Sequence, residues 1–93
     1  MFSIVIEKKA EKFIKELPQK TRRIIVDKIL ELPDDPFPGG NKEKLEYDHR
    51  PSVYRLHVSR SFTVFYIIEK DEHLIKIVKI TTIERAHKDY SRG

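Results

Sequence analysis

Hydrophobic positions along the chain change period several times, and each change marks an element. Phe2, Ile4 and Ile6 recur at every second residue, predicting a short first strand with those three side chains inward. The period then lengthens. Ala10, Phe13, Ile14 and Leu17 fall at i, i+3, i+4 and i+7, an apolar stripe on a helix whose other faces carry Lys8, Lys9, Glu11, Lys12, Lys15 and Glu16. Pro18 ends that helix, because the residue before a proline is pushed out of the helical region. A second helix follows over residues 19–32, with Ile25, Val26, Ile29, Leu30 and Leu32 as its buried side. So short a break makes the two helices an antiparallel hairpin lying on a sheet.

Residues 33–41 hold three prolines and two glycines, so they form a loop, and Phe37 is expected to plug the core from it. Residues 42–48 are ambiguous, with Leu45 and Tyr47 candidates to begin an edge strand. Period-two patterning then takes over for residues 53–68, VYRLHVSRSFTVFYII. Tyr54, Leu56 and Val58 point one way and Val53, Arg55, His57 and Ser59 the other. After a turn at Ser59-Arg60-Ser61, Phe62, Val64, Tyr66 and Ile68 share a face. A charged turn, residues 69–73, leads to a near-continuous apolar strand over 74–81 that reads as central. The expected order is β-α-α-β-β-β with a basic tail: an α+β fold, a small antiparallel sheet with a helical hairpin on one face.

Composition narrows this little. The 93 residues make one domain, 1–93, with one core. Hydrophobic residues at 39% and charged residues at 37% describe a globular chain. There is no apolar run of membrane-spanning length, and the charged N-terminus does not read as a signal peptide, so a cytoplasmic location and no membrane partner are expected. Without cysteine there are no disulfides or thiolate metal sites. The net charge of +4 admits nucleic acid or an acidic protein as partner.

Chemistry concentrates on the hairpin. From residue 49 to 68 there are three arginines, two histidines and no acid. Helices cover one face of the sheet, so the other carries Arg55, His57 and Thr63, with Arg60 at the hairpin tip. Lys76 and Lys79 are expected on opposite faces of the last strand, one of them facing this cationic surface. His49 and His73 fall in turns and read as solvent-exposed. Metal-free RNA cleavage needs a base for the ribose 2′-hydroxyl, cations for the attacked phosphate and an acid for the departing 5′-oxygen. Histidine, arginine, lysine and tyrosine supply all three. A solvated basic face is the plainer alternative. Asp34-Asp35 has no third metal ligand nearby at useful spacing. Gly39-Gly40 lacks the spacing of a phosphate loop, and no Ser/His/Asp arrangement can be argued from spacing.

The opening strand, FIKELPQKTRRIIVDKILEL, VYRLHV followed by FTVFYII, and LIKIVKIT ending in ERAHKDY occur in the order and spacing of a known group. The chain resembles, over essentially its whole length, the RelE family of the RelE/ParE toxin superfamily, the toxic halves of bacterial and archaeal toxin–antitoxin pairs. That resemblance implies a cofactor-free, metal-independent endoribonuclease cleaving mRNA in the ribosomal decoding site and neutralised by a cognate antitoxin. It implies catalytic roles for Arg55, His57, Arg85 and Tyr90, with Arg50, Arg60 and Lys79 as RNA phosphate ligands. One departure stands out. Phe62-Thr63 occupies the place where relatives commonly read Tyr-Arg, and a missing phosphate-binding cation costs on the order of 3 kcal/mol in the transition state. Two other readings follow from it: a ParE-like inhibitor of DNA gyrase, and a catalytically weakened homologue that only binds its antitoxin.

Overall fold

The computed structural model describes residues 1–45 and 52–84. Its elements in chain order are β1 (Ser3–Ile6), α1 (Lys8–Lys15), α2 (Gln19–Ile29), β2 (Lys42–Lys44), β3 (Val53–Val58), β4 (Phe62–Glu69) and β5 (Leu74–Thr82). The five strands form one sheet in the order β1-β5-β4-β3-β2. β2, β3, β4 and β5 are joined antiparallel, whereas β1 lies parallel to β5. The expected α+β architecture therefore holds, with a parallel edge added. The helical pair carries the chain away from β1, and three further strands pass before β5 returns beside it.

The core lies between the helices and one face of the sheet. Ala10 and Ile14 of α1, with Ile25 and Ile29 of α2, meet Leu56, Val58, Val64, Tyr66, Ile75, Ile77 and Ile80. The alternation read for the hairpin holds throughout: Tyr54, Leu56, Val58, Phe62, Val64, Tyr66 and Ile68 all belong to this cluster. Leu32 is buried just beyond α2, but Leu30 is 60% exposed. Its expected burial fails on helix geometry, since at 3.6 residues per turn Leu30 lies about 140° around the axis from Ile25.

Arg22 fastens the helical hairpin. Its Nη2 donates to the carbonyl oxygens of Lys15 and Leu17, both at 3.1 Å, where α1 ends. These carbonyls have no partner within their own helix, so a guanidinium reaching back from α2 satisfies them. Arg22→Met keeps much of the aliphatic contact and removes both charge-assisted bonds. It should cost about 1–2 kcal/mol, read as a melting temperature lower by roughly 4–16 °C for a domain of this size.

The proline-rich loop seals the core differently from expectation. Pro36 is buried, and its carbonyl accepts a 2.7 Å hydrogen bond from the Tyr66 hydroxyl. Phe37 stays outside, edge-on to Phe2 at 6.0 Å between ring centroids, with the Lys70 ammonium 5.6 Å from its ring. Phe2 in turn stacks on His73 at 4.3 Å, so the exposed His73 packs against a ring. Gly39 and Gly40, at φ of 146° and 58°, then reverse the chain, and Gly39 and Lys42 exchange backbone hydrogen bonds. Only glycine adopts such a pair of conformations readily. This turn creates β2, a fifth strand that lies slightly earlier than the Leu45–Tyr47 start expected of it.

Candidate functional site on the open face of the sheet

The face opposite the helices is built from the residues between the core positions. Cross-strand register sets it out in rows. Glu43, Arg55, Phe65 and Lys79 lie opposite one another across β2, β3, β4 and β5, and His57, Thr63 and Thr81 form the next row toward the hairpin tip. Phe65 is fully buried, and with Leu45, Val53 and Val78 it makes a small second hydrophobic cluster on this side. At strand spacings near 4.8 Å, Arg55 and Lys79 stand about 10 Å apart, astride that cluster.

Arg55 and His57 share this face because they are two residues apart on β3. They are half-buried, with side chains 29% and 38% exposed. The face is not free of acid, contrary to the expectation from residues 49–68. Edge strand β2 places Glu43 directly opposite Arg55, and one oxygen, Glu43 Oε1, pairs with the guanidinium through both Nε and Nη2. The same oxygen lies 3.9 Å from His57 Nε2. Farther along, Glu69 Oε1 is 3.4 Å from Lys76 Nζ.

Lys76 and Lys79 are not on opposite faces. Lys76 pairs with Ile67 and Lys79 with Phe65, while Ile77 pairs with Tyr66, leaving Val78 as an extra residue in β5. This β-bulge shifts the alternation by one position, so both lysines reach the open face. Lys79 also has an interaction partner of its own. Thr63 sits on the expected face but is only 1% exposed, beside the buried Thr81. The position where the family resemblance leads one to expect an arginine is thus a hydroxyl-bearing, closely packed part of the sheet.

Arg60 is exposed in the hairpin turn, which is set by Ser59 at φ 51° and by the Ser61 N–H donating to Ser59 Oγ at 3.3 Å. Arg50, Arg85 and Tyr90, together with His49, lie outside the described residues. The site residues brought together are therefore Arg55, His57 and Lys79, with Arg60 at the tip. Missed in the sequence were Glu43 and Lys76. Glu43 had a signal: if 42–45 is an edge strand, alternation with Leu45 puts Glu43 on the open face.

Among the described residues two titrating groups are shifted, Tyr66 strongly, and neither belongs to this cluster. Burial pushes the Tyr66 phenol well above its usual value, so it remains a neutral hydrogen-bond donor and does not carry protons. A side-chain hydrogen bond with Glu69 raises the Glu72 carboxyl in the β4–β5 turn, with the nearby Glu69 charge acting the same way. Among the described residues, no three His, Asp or Glu side chains converge in a way that could hold a metal ion. No helix among them is long and apolar enough to cross a membrane. Chemically, a guanidinium and an imidazole on one strand, with an ammonium across the sheet, can hold a phosphodiester and move a proton beside it.

Comparison with known proteins places the fold. No curated protein sequence matches the chain significantly. Its fold matches solved toxins closely. A chain of the archaeal RelE–RelB complex of Pyrococcus horikoshii is 25% identical, with 90% of this chain and 97% of that one covered and a TM-score of 0.66. A chain of the Mycobacterium tuberculosis RelBE2 toxin–antitoxin complex gives a TM-score of 0.74 at 12% identity, covering 87% and 96%. The isolated Escherichia coli RelE toxin gives 0.71 at 14% identity, covering 99% and 98%. The family model described as the ParE toxin of the type II toxin–antitoxin system parDE matches residues 4–86. The chain therefore belongs to the ParE toxin family of the RelE/ParE superfamily, and is a type II toxin with a RelE-like fold.

Proposed function

We propose that this toxin is a metal-independent endoribonuclease that cleaves mRNA in the ribosomal decoding site. The observation that carries the reading is the placement of Arg55 and His57 side by side on the open face, with Lys79 across it. His57 removes the proton from a ribose 2′-hydroxyl. The 2′-oxygen then attacks the adjacent phosphorus, and Arg55 and Lys79 stabilise the negative charge that gathers on the phosphate. The bond to the 5′-oxygen breaks, leaving a 2′,3′-cyclic phosphate and, after protonation, a free 5′-hydroxyl. Tyr90 and Arg85 are the candidates for the acid and a further phosphate ligand. A sheet surface of this kind grips backbone phosphates without reading bases, which suits an mRNA already held in register by the ribosome. A cognate antitoxin neutralises the toxin, as the RelE–RelB complexes among its structural relatives lead one to expect. Its chemistry should be acidic, to complement a chain of net charge +4.

Purified toxin incubated with ribosomes carrying a defined mRNA should yield fragments ending inside the decoding-site codon. Intact mRNA in the presence of folded toxin overturns the nuclease reading.

A second reading is favoured by two observations: the matching family model is described by its ParE toxin, and Thr63, where the family resemblance leads one to expect arginine, is buried and supplies no charge. In it the protein blocks DNA gyrase by binding alone. Inhibition of supercoiling at toxin concentrations that leave ribosome-bound mRNA intact would establish this reading in place of the first.

A further inference from the structure

Glu43 has no part in the chemistry above, yet it engages Arg55 and lies beside His57. We propose that Glu43 is a built-in competitor for the RNA phosphate: in the free toxin its carboxylate holds Arg55 beside His57, and RNA engages these two cations by displacing it. This rests on the reading of the open face as an RNA phosphate site. A single oxygen, Glu43 Oε1, accepts from Arg55 Nε, faces Arg55 Nη2 and lies 3.9 Å from His57 Nε2. A phosphate oxygen bridging the same guanidinium and imidazole would stand in the same place, and two anions cannot share it.

The mounting of Glu43 suits displacement. β2 is three residues long, lies at the edge of the sheet and follows the Gly39-Gly40 turn. The Glu43 side chain is 48% exposed, so swinging away leaves its carboxylate hydrated instead of stranded. Exposed ion pairs of this type are weak and screened by salt, whereas a phosphodiester brings several backbone contacts at once. Glu69 engages Lys76 on the same face. The face is therefore partly neutralised at rest, which limits its hold on RNA outside the ribosome.

Glu43→Gln keeps the shape and removes the charge. The test measures binding of a fluorescein-labelled single-stranded oligoribonucleotide, 2′-O-methylated throughout so that it cannot be cleaved, by fluorescence anisotropy over a salt series. At low salt Glu43→Gln should bind roughly threefold to tenfold more tightly than the unmodified toxin. Its plot of log affinity against log salt should be steeper, because in the unmodified toxin salt weakens the competing Glu43–Arg55 pair as well as the RNA contacts. In an Arg55→Ala background the same change should gain less than about twofold, because the freed partner is gone. Glu43→Ser, which needs no packing of an amide, should reproduce the gain. Unchanged or weaker binding by both variants, no binding by any variant, or an equal gain without Arg55 overturns the proposal. The probe reports no cleavage, so a toxin that binds in this pattern while leaving ribosome-bound mRNA intact would fail the nuclease reading and still bear out the role of Glu43.

Discussion

Alanine at His57 is expected to slow mRNA cleavage on programmed ribosomes by about 10²–10⁴-fold, the usual contribution of a positioned proton carrier. The fold should survive. His57 lies on the open face, its side chain is 38% exposed, and Glu43 is its charged neighbour at 3.9 Å, so the stability change should stay within about 0.5 kcal/mol. Arg55→Ala should cost about 10²–10³-fold through lost phosphate stabilisation. A loss below tenfold at His57, with an unchanged melting profile, would remove it from the chemistry. A loss accompanied by a fall in melting temperature would make its role structural.

The largest stability effect is expected at Tyr66, in the middle of the core. Its ring is fully buried and stacks on Tyr54 at 5.5 Å, and its hydroxyl anchors the Pro36 carbonyl. Tyr66→Ala should cost about 3–5 kcal/mol, a large share of the roughly 5–15 kcal/mol typical of a domain. Tyr66→Phe should cost about 1–2 kcal/mol, because the buried carbonyl of Pro36 is left without its donor. Urea denaturation measures both. The pH dependence has a definite sign. The folded state holds the Tyr66 proton more tightly than the unfolded chain, so this stabilisation is fully present below the ordinary tyrosine value near 10 and is lost as pH rises above it. Tyr66→Phe should therefore show a shallower alkaline loss of stability than the unmodified protein.

What could be read from the chain follows from where local pattern and tertiary pairing agree. The β3–β4 hairpin was legible to its facing, because both strands alternate strictly and Ser59-Arg60-Ser61 supplies the turn. The helices were legible from their stripes, except at Leu30, whose apolar side chain lies off the buried side by the helix angle. Glu43 was legible only on the condition that 42–45 is a strand, because a three-residue strand without β-branched residues does not announce itself; β3 decides its position by pairing. Lys76 was hidden by the bulge, since Ile77-Val78 reads as uninterrupted strand and nothing local marks Val78 as the extra residue. The face of Thr63 was legible and its burial was not, because burial depends on what packs over a strand. That burial also changes how its restoration should be judged. Thr63→Arg must fit a guanidinium into a packed position beside His57 and Thr81, so any gain in activity has to be separated from a loss of stability.

The claim that this toxin works by cutting translated mRNA is tested most directly by mapping RNA 5′ ends in cells expressing it without an antitoxin. Cuts should appear within minutes, fall inside translated codons with a constant position relative to the reading frame, and disappear with His57→Ala. Growth arrest with intact mRNA and relaxed DNA, unchanged by His57→Ala, would contradict it.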